Sequence, residues 1–125
     1  FGQARFKSLA SMGTFQCRNA SDSGYVPIVA SDFTVGSKRQ YKENISLFKG
    51  NALSKILNTP IYEYSIKEQE AKQLGVMYGE APPDIKASDD TLSLTSEVAL
   101  LWKAIQELAG QGDDTDNGHS VPGSG

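Results

Sequence analysis

The side chains able to do chemistry in this sequence are few and far apart. It has one histidine, His119, and one cysteine, Cys17. A Ser-His-Asp or Cys-His relay needs an imidazole held by packing. His119 instead lies in the run Gly110 to Gly125 (GQGDDTDNGHSVPGSG), whose apolar content is Val121 alone. Such a run cannot offset the entropy of ordering and is predicted to be a disordered acidic tail. A zinc site needs three or four clustered ligands, and that spacing is absent. Gly36-Ser37-Lys38 is too short for a phosphate loop, and no Gly-x-Gly-x-x-Gly occurs. Asp113, Thr115, Asn117 and Gly118 fit the first, third, fifth and sixth places of a calcium loop, but Ser124 stands where the bidentate Glu is needed. Carboxylate-pair chemistry remains, with most of the acids on polar helices or in the tail. The sequence reads as non-catalytic, with no metal and no cofactor expected and no cofactor-binding residue to name.

Binding chemistry is better represented. Lys38, Lys42 and Lys49 fall on one side of a helix predicted over Ser37–Lys49, beside a stripe of Tyr41, Ile45 and Phe48. That face suits an acidic partner or a phosphate backbone, although a solvated helix face is the commoner use of such a pattern. A second surface is apolar. Leu94, Val98, Leu101, Ile105 and Leu108 recur at steps of four, three, four and three, with Trp102 on the edge of the stripe. The stripe serves either as the core of the domain or as a docking face for another chain. Asn19-Ala20-Ser21 and Asn44-Ile45-Ser46 match the glycosylation pattern, but serine is frequent here and Asn44 falls inside a predicted helix.

The elements that must position these residues follow from local signals. Ser93 or Thr91 caps the C-terminal helix, Asp89 and Asp90 place negative charge at its start, and Gly110 stops it. Ser37-Lys38-Arg39-Gln40 fits a capping box, so a helix is predicted from Ser37, with Gly50 as its end. Ala52 to Leu57 adds a short turn with Leu53, Ile56 and Leu57 inward. Short strands are predicted at Thr14–Arg18, Tyr25–Ala30, Phe33–Val35 and Ile61–Ser65. Asn19 to Gly24 is turn chemistry. A second capping box, Ser65-Ile66-Lys67-Glu68, opens a polar helix through Leu74. Pro82-Pro83 makes Gly79 to Asp84 an extended, solvated connector.

With 125 residues and 38% apolar content, the chain suffices for one modest core. A lone cysteine rules out an internal disulfide. No apolar run reaches the length of a membrane-spanning helix. The formal charge of −3 hides an asymmetry. The first 21 residues hold Arg5, Lys7 and Arg18 and no acid, whereas acids dominate from Glu80 onward. That start reads as a plain basic terminus, with the remnant of an organelle transit region as the alternative.

Residues Thr14 to Leu57 resemble the small linker domain of phycobilisomes. The residues concerned are Ser21-Asp22-Ser23, Tyr25-Val26-Pro27-Ile28, Phe33-Thr34-Val35 and Tyr41-Lys42-Glu43. They follow that family's order of a turn, a Tyr-Pro-Ile segment, a Phe-x-Val strand and a helix. Val26 is an insertion, the family's Gly-Gly is Gly50-Asn51, and these linkers tend to be basic. The resemblance implies a non-catalytic linker of a light-harvesting antenna, in plastid stroma or cytoplasm. No binding residue carries over from it.

The sequence thus predicts a small α+β domain over residues 1–78, a connector over 79–92, an amphipathic helix over 93–109 and a tail over 110–125. Its expected role is a linker or accessory subunit that joins larger protein subunits of an assembly. Lys38, Tyr41, Lys42, Lys49, Val98, Leu101, Trp102 and Ile105 are the candidate partner-binding residues. A small nucleic-acid- or ligand-binding domain is the second reading and a carboxylate enzyme the third.

Overall fold

The computed structural model describes residues 13–67 and 70–110. The predicted acidic tail beyond Gly110, with His119 and the calcium-like spacing, and residues 1–12 lie outside them. The described chain is a mixed α+β structure with two small antiparallel sheets, and its contacts divide it into two units between Ile45 and Ser46. This division departs from the predicted boundary at residue 78.

In the first unit the chain is mostly extended and exposed. Its most extensively hydrogen-bonded feature among the described residues is the turn at 19–24. The Asn19 side-chain oxygen accepts the N–H groups of Ser23 (2.9 Å) and Gly24 (3.3 Å), and the Asn19 N–H reaches the Gly24 carbonyl at 3.0 Å. Asp22 adopts the left-handed conformation (φ 58°) that Asn and Asp tolerate. It pairs with Arg18, whose guanidinium lies 4.6 Å from the centre of the Tyr25 ring. That hydrogen bond to Asp22 raises the Arg18 pKa above its ordinary value. The predicted strands Thr14–Arg18 and Tyr25–Ala30 shrink to one antiparallel bridge, Arg18 to Tyr25, and Phe33–Val35 is not a strand. Extended segments without neighbouring strands have no ladder to join.

The predicted Ser37–Lys49 helix is absent. A single 3-10 turn, Arg39–Tyr41, stands in its place, with no side-chain cap. Ser37 Oγ instead receives Lys42 Nζ at 2.7 Å, and Asn44 takes a positive φ of 56°. Helices of this length depend on burying one face, and Tyr41, Ile45 and Phe48 all remain exposed.

In the second unit, α1 (Ala52–Leu57) is capped by Asn51, whose side chain accepts from Ser54 N–H at 3.4 Å. Leu53 and Ile56 turn inward as predicted, whereas Leu57 is exposed. Strand β1 (Tyr62–Ser65) pairs with β2 (Lys72–Gly75) in an antiparallel register that sets Tyr62 opposite Gly75 and Ser65 opposite Lys72. The predicted polar helix from Ser65 to Leu74 is therefore replaced by the return half of a hairpin. Its thin apolar face offered a helix little to pack, while β1 presented unpaired backbone groups that the following segment satisfies.

The connector is also more structured than the sequence suggests. Two 3-10 turns, Tyr78–Glu80 and Pro83–Ile85, lead into a short hairpin of β3 (Lys86–Ser88) and β4 (Thr91–Leu92). Pro83 starts its turn, where a missing N–H costs nothing. The connector contributes Ala81 and Ile85 to the core, with Ile85 only 2% exposed. Helix α2 (Leu94–Leu108) follows, and its packing against α1 organises the unit. Buried residues here are Ala52, Ala81, Ile85, Leu100 and Ala104, flanked by Leu53, Ile56, Val76 and Leu92. Ile85 and Leu100 are its large side chains, each worth about 1.5–3 kcal/mol of burial.

Candidate docking face

Helix α2 starts and stops where its sequence predicts. Ser93 Oγ accepts the Ser96 N–H at 3.1 Å, and the Ser93 N–H reaches the Ile85 carbonyl at 2.8 Å. At the far end Gly110 takes φ 86°, a left-handed conformation that costs glycine nothing, and its N–H bonds the Glu107 carbonyl at 3.0 Å.

The face that α2 buries is not its apolar stripe. Leu100 and Ala104 point into the core, with Ser96, Glu97, Lys103 and Glu107 half-buried beside them. At 3.6 residues per turn, this face is turned about a third of the way around from the stripe. Val98 is 44% exposed, Leu101 47%, Trp102 68% and Ile105 64%. Leu94 and Leu108 extend the exposed row at either end.

The packed face is selected by polar chemistry as much as by apolar burial. The Glu107 carboxylate accepts the N–H groups of Ala52 (3.0 Å) and Leu53 (2.8 Å). Together with Asn51 it satisfies the first three donors of α1, which a short helix would otherwise leave to water. Lys55 and Asp84 then pair at 2.5 Å, joining α1 to the second 3-10 turn. Sequence reasoning missed Leu100, Ala104 and Glu107. Their signal was a second row at steps of four, four and three, Ser96-Leu100-Ala104-Glu107, too small and polar to stand out against the leucine stripe.

Beside the stripe lies an apolar groove of about 150 Å³. Ile56, Ile61, Val76, Leu100 and Leu101 line it, and Glu97 sits on its rim. Leu101 belongs to both surfaces, so stripe and groove are continuous. The six stripe residues carry no charge, and Glu97 is the ionisable side chain among the residues that line the groove.

The other candidate residues are not brought together in this way. Lys38, Tyr41 and Lys42 lie at or next to the 3-10 turn of the first unit, and Lys49 is an exposed residue of the second, outside any helix or strand. No helix carries the three lysines on one face. Asn19 spends its side-chain oxygen within its own turn. Among the described residues, no three His, Cys, Asp or Glu side chains converge, and no helix is long and apolar enough to cross a membrane.

No protein-family model, curated protein or solved structure matches this chain.

Proposed function

We propose that the protein is a non-catalytic linker or accessory subunit that joins larger proteins in an assembly. The observation that carries this reading is the placement of its large apolar side chains. Trp102, Ile105 and Leu101 on α2 and Val29, Phe33 and Val35 on the extended segment of the first unit are all exposed. The core holds alanine at three of its five buried positions. Contiguous exposed apolar surface like the α2 row marks contact sites for other macromolecules. Exposed apolar side chains on both units suit a protein that joins other bodies.

A protein assembly is favoured over nucleic acid. The three lysines share no helix face, and the formal charge is −3. The resemblance of Thr14–Leu57 to phycobilisome linkers makes a light-harvesting antenna the first assembly to test. Of the elements it implies, the turn at 19–24 is present, whereas the Phe33–Val35 strand and the helix after it are not formed.

The test is recovery of the full chain from its source under mild conditions. Larger subunits should accompany it in fixed stoichiometry and be released by the double substitution F33D/V35D, with pigment absorbance in that fraction if the assembly is an antenna. A chain recovered alone would overturn the proposal. So would a partner that F33D/V35D and a stripe variant such as I105D both leave attached.

A further inference from the structure

The α2 stripe has the pattern of a two-stranded coiled-coil seam. Steps of four, three, four and three place Leu94, Leu101 and Leu108 at the d positions of a heptad and Val98 and Ile105 at the a positions. β-branched residues at a with leucine at d favour two parallel helices over larger bundles. From this geometry we infer that the occupant of the stripe is a second copy of this chain, forming a parallel two-fold dimer through α2. The inference rests on the reading above only in treating the stripe as a docking surface. It leaves the exposed segment of the first unit, now present twice, for the larger proteins.

Three further observations support a second copy. First, the seam is neutral, so two identical faces meet without like-charge repulsion. Second, the six exposed side chains offer at most on the order of 700 Å² per chain, enough for an interface somewhat smaller than the roughly 800 Å² that each partner of a standard one buries.

Third, the surface supplies both a knob and a hole. Trp102 falls at an e position, and Glu97, on the rim of the groove, falls at a g position. In a parallel pair each g residue faces the e residue five positions further along the other helix. The Trp102 ring of one copy therefore lies at the groove of the other, over Leu101 and Leu100. The groove is open to one side and lined mostly by aliphatic side chains, with Thr59 and Glu97 among them, and its volume of about 150 Å³ leaves room for an aromatic ring laid against it. An antiparallel pair would set e against e and leave both grooves open.

The full chain contains a single tryptophan, which makes its emission a direct report on Trp102. Sedimentation equilibrium should give about 27 kDa, twice the 13.5 kDa chain, with dissociation on dilution. Trp102 emission should move to longer wavelength over the same concentration range. I105D should yield a monomer with unchanged far-ultraviolet dichroism, and W102A should weaken association on the order of 30-fold, as for an aromatic anchor. In a C17S background, L108C should cross-link to itself under mild oxidation.

A monomer at every concentration overturns the dimer, including one whose Trp102 is already shielded by its own chain. A dimer indifferent to I105D places the interface elsewhere and overturns it equally. Cross-linking of L108C only to L94C overturns the parallel arrangement. A monomer that still recovers larger subunits leaves the linker reading standing, whereas a dimer that recovers none removes that reading alone.

Discussion

Glu107, in the last turn of α2, accepts the backbone N–H of Ala52 at 3.0 Å across 55 residues of chain. Its other carboxylate oxygen takes the Leu53 N–H. One side chain thereby caps a helix to which it does not belong, and fixes which face of α2 meets α1. Replacing Glu107 by Ala should leave two donors of α1 without their acceptor. The expected loss is about 1–3 kcal/mol in urea-induced unfolding. A loss within error would mean that water replaces the carboxylate without penalty.

Two leucines on different sides of α2 should behave very differently. Leu100 is 7% exposed and packs against Ala52, Ile85 and Ala104 in the core cluster, whereas Leu94 is 74% exposed. L100A should cost about 2–4 kcal/mol by cavity formation. L94A, measured at dilutions where the chain is monomeric, should cost less than about 0.5 kcal/mol. Thermal melts of both variants check this rotation of the helix, and the reverse order would place the stripe inside.

Tyr62 and Glu80 provide a pH signature. The Tyr62 hydroxyl donates to Glu80 Oε1 at 2.8 Å, and this bond, with lesser contributions from desolvation and the carboxylate charge, raises the phenol pKa. A pKa raised on folding stabilises the folded protein while the phenol is protonated. That contribution is complete below the unfolded value of about 10 and fades as pH rises through the folded one. Tyrosinate absorbance should therefore show the Tyr62 phenol titrating late, and E80A should abolish that delay. An unchanged titration in E80A would show that the bond does not hold in solution.

The Lys55–Asp84 pair, at 2.5 Å with each side chain about one-third exposed, ties α1 to the turn at Pro83–Ile85. Lys55 also lies 5.3 Å from the centre of the Phe48 ring. A double-mutant cycle with K55M and D84N should give a coupling of no more than about 1 kcal/mol, reduced in high salt. A larger, salt-insensitive coupling would mean that the pair is better shielded than its exposure indicates.

Local signals were legible wherever they did not depend on distant chain. Ser93, Gly110 and the apolar spacing placed α2 to within one residue at each end, because caps and periodicity act within a few turns. Asn19–Gly24 was recognisable as a turn for the same reason. The Ser37–Lys49 helix failed because an amphipathic pattern needs a surface to cover, and none receives Tyr41, Ile45 and Phe48. The segment after Ser65 had a capping box and joined a strand, since pairing with Tyr62–Ser65 satisfies backbone groups that a thinly amphipathic helix would have satisfied alone. Ile85 gave no warning of its burial beside two prolines.

For the candidate site the division is sharper. The row Leu94, Val98, Leu101, Ile105 and Leu108, with Trp102 at its edge, follows from the order of residues alone, because helical geometry converts spacing into a face. Which face turns inward was decided only in three dimensions. Ala104 allows close approach to α1, Leu100 reaches Ile85, and Glu107 finds the open N–H groups of Ala52 and Leu53. Those contacts join residues far apart in sequence, and periodicity carries no information about the partner a face will meet. The tertiary structure thus leaves the more hydrophobic side of α2 exposed.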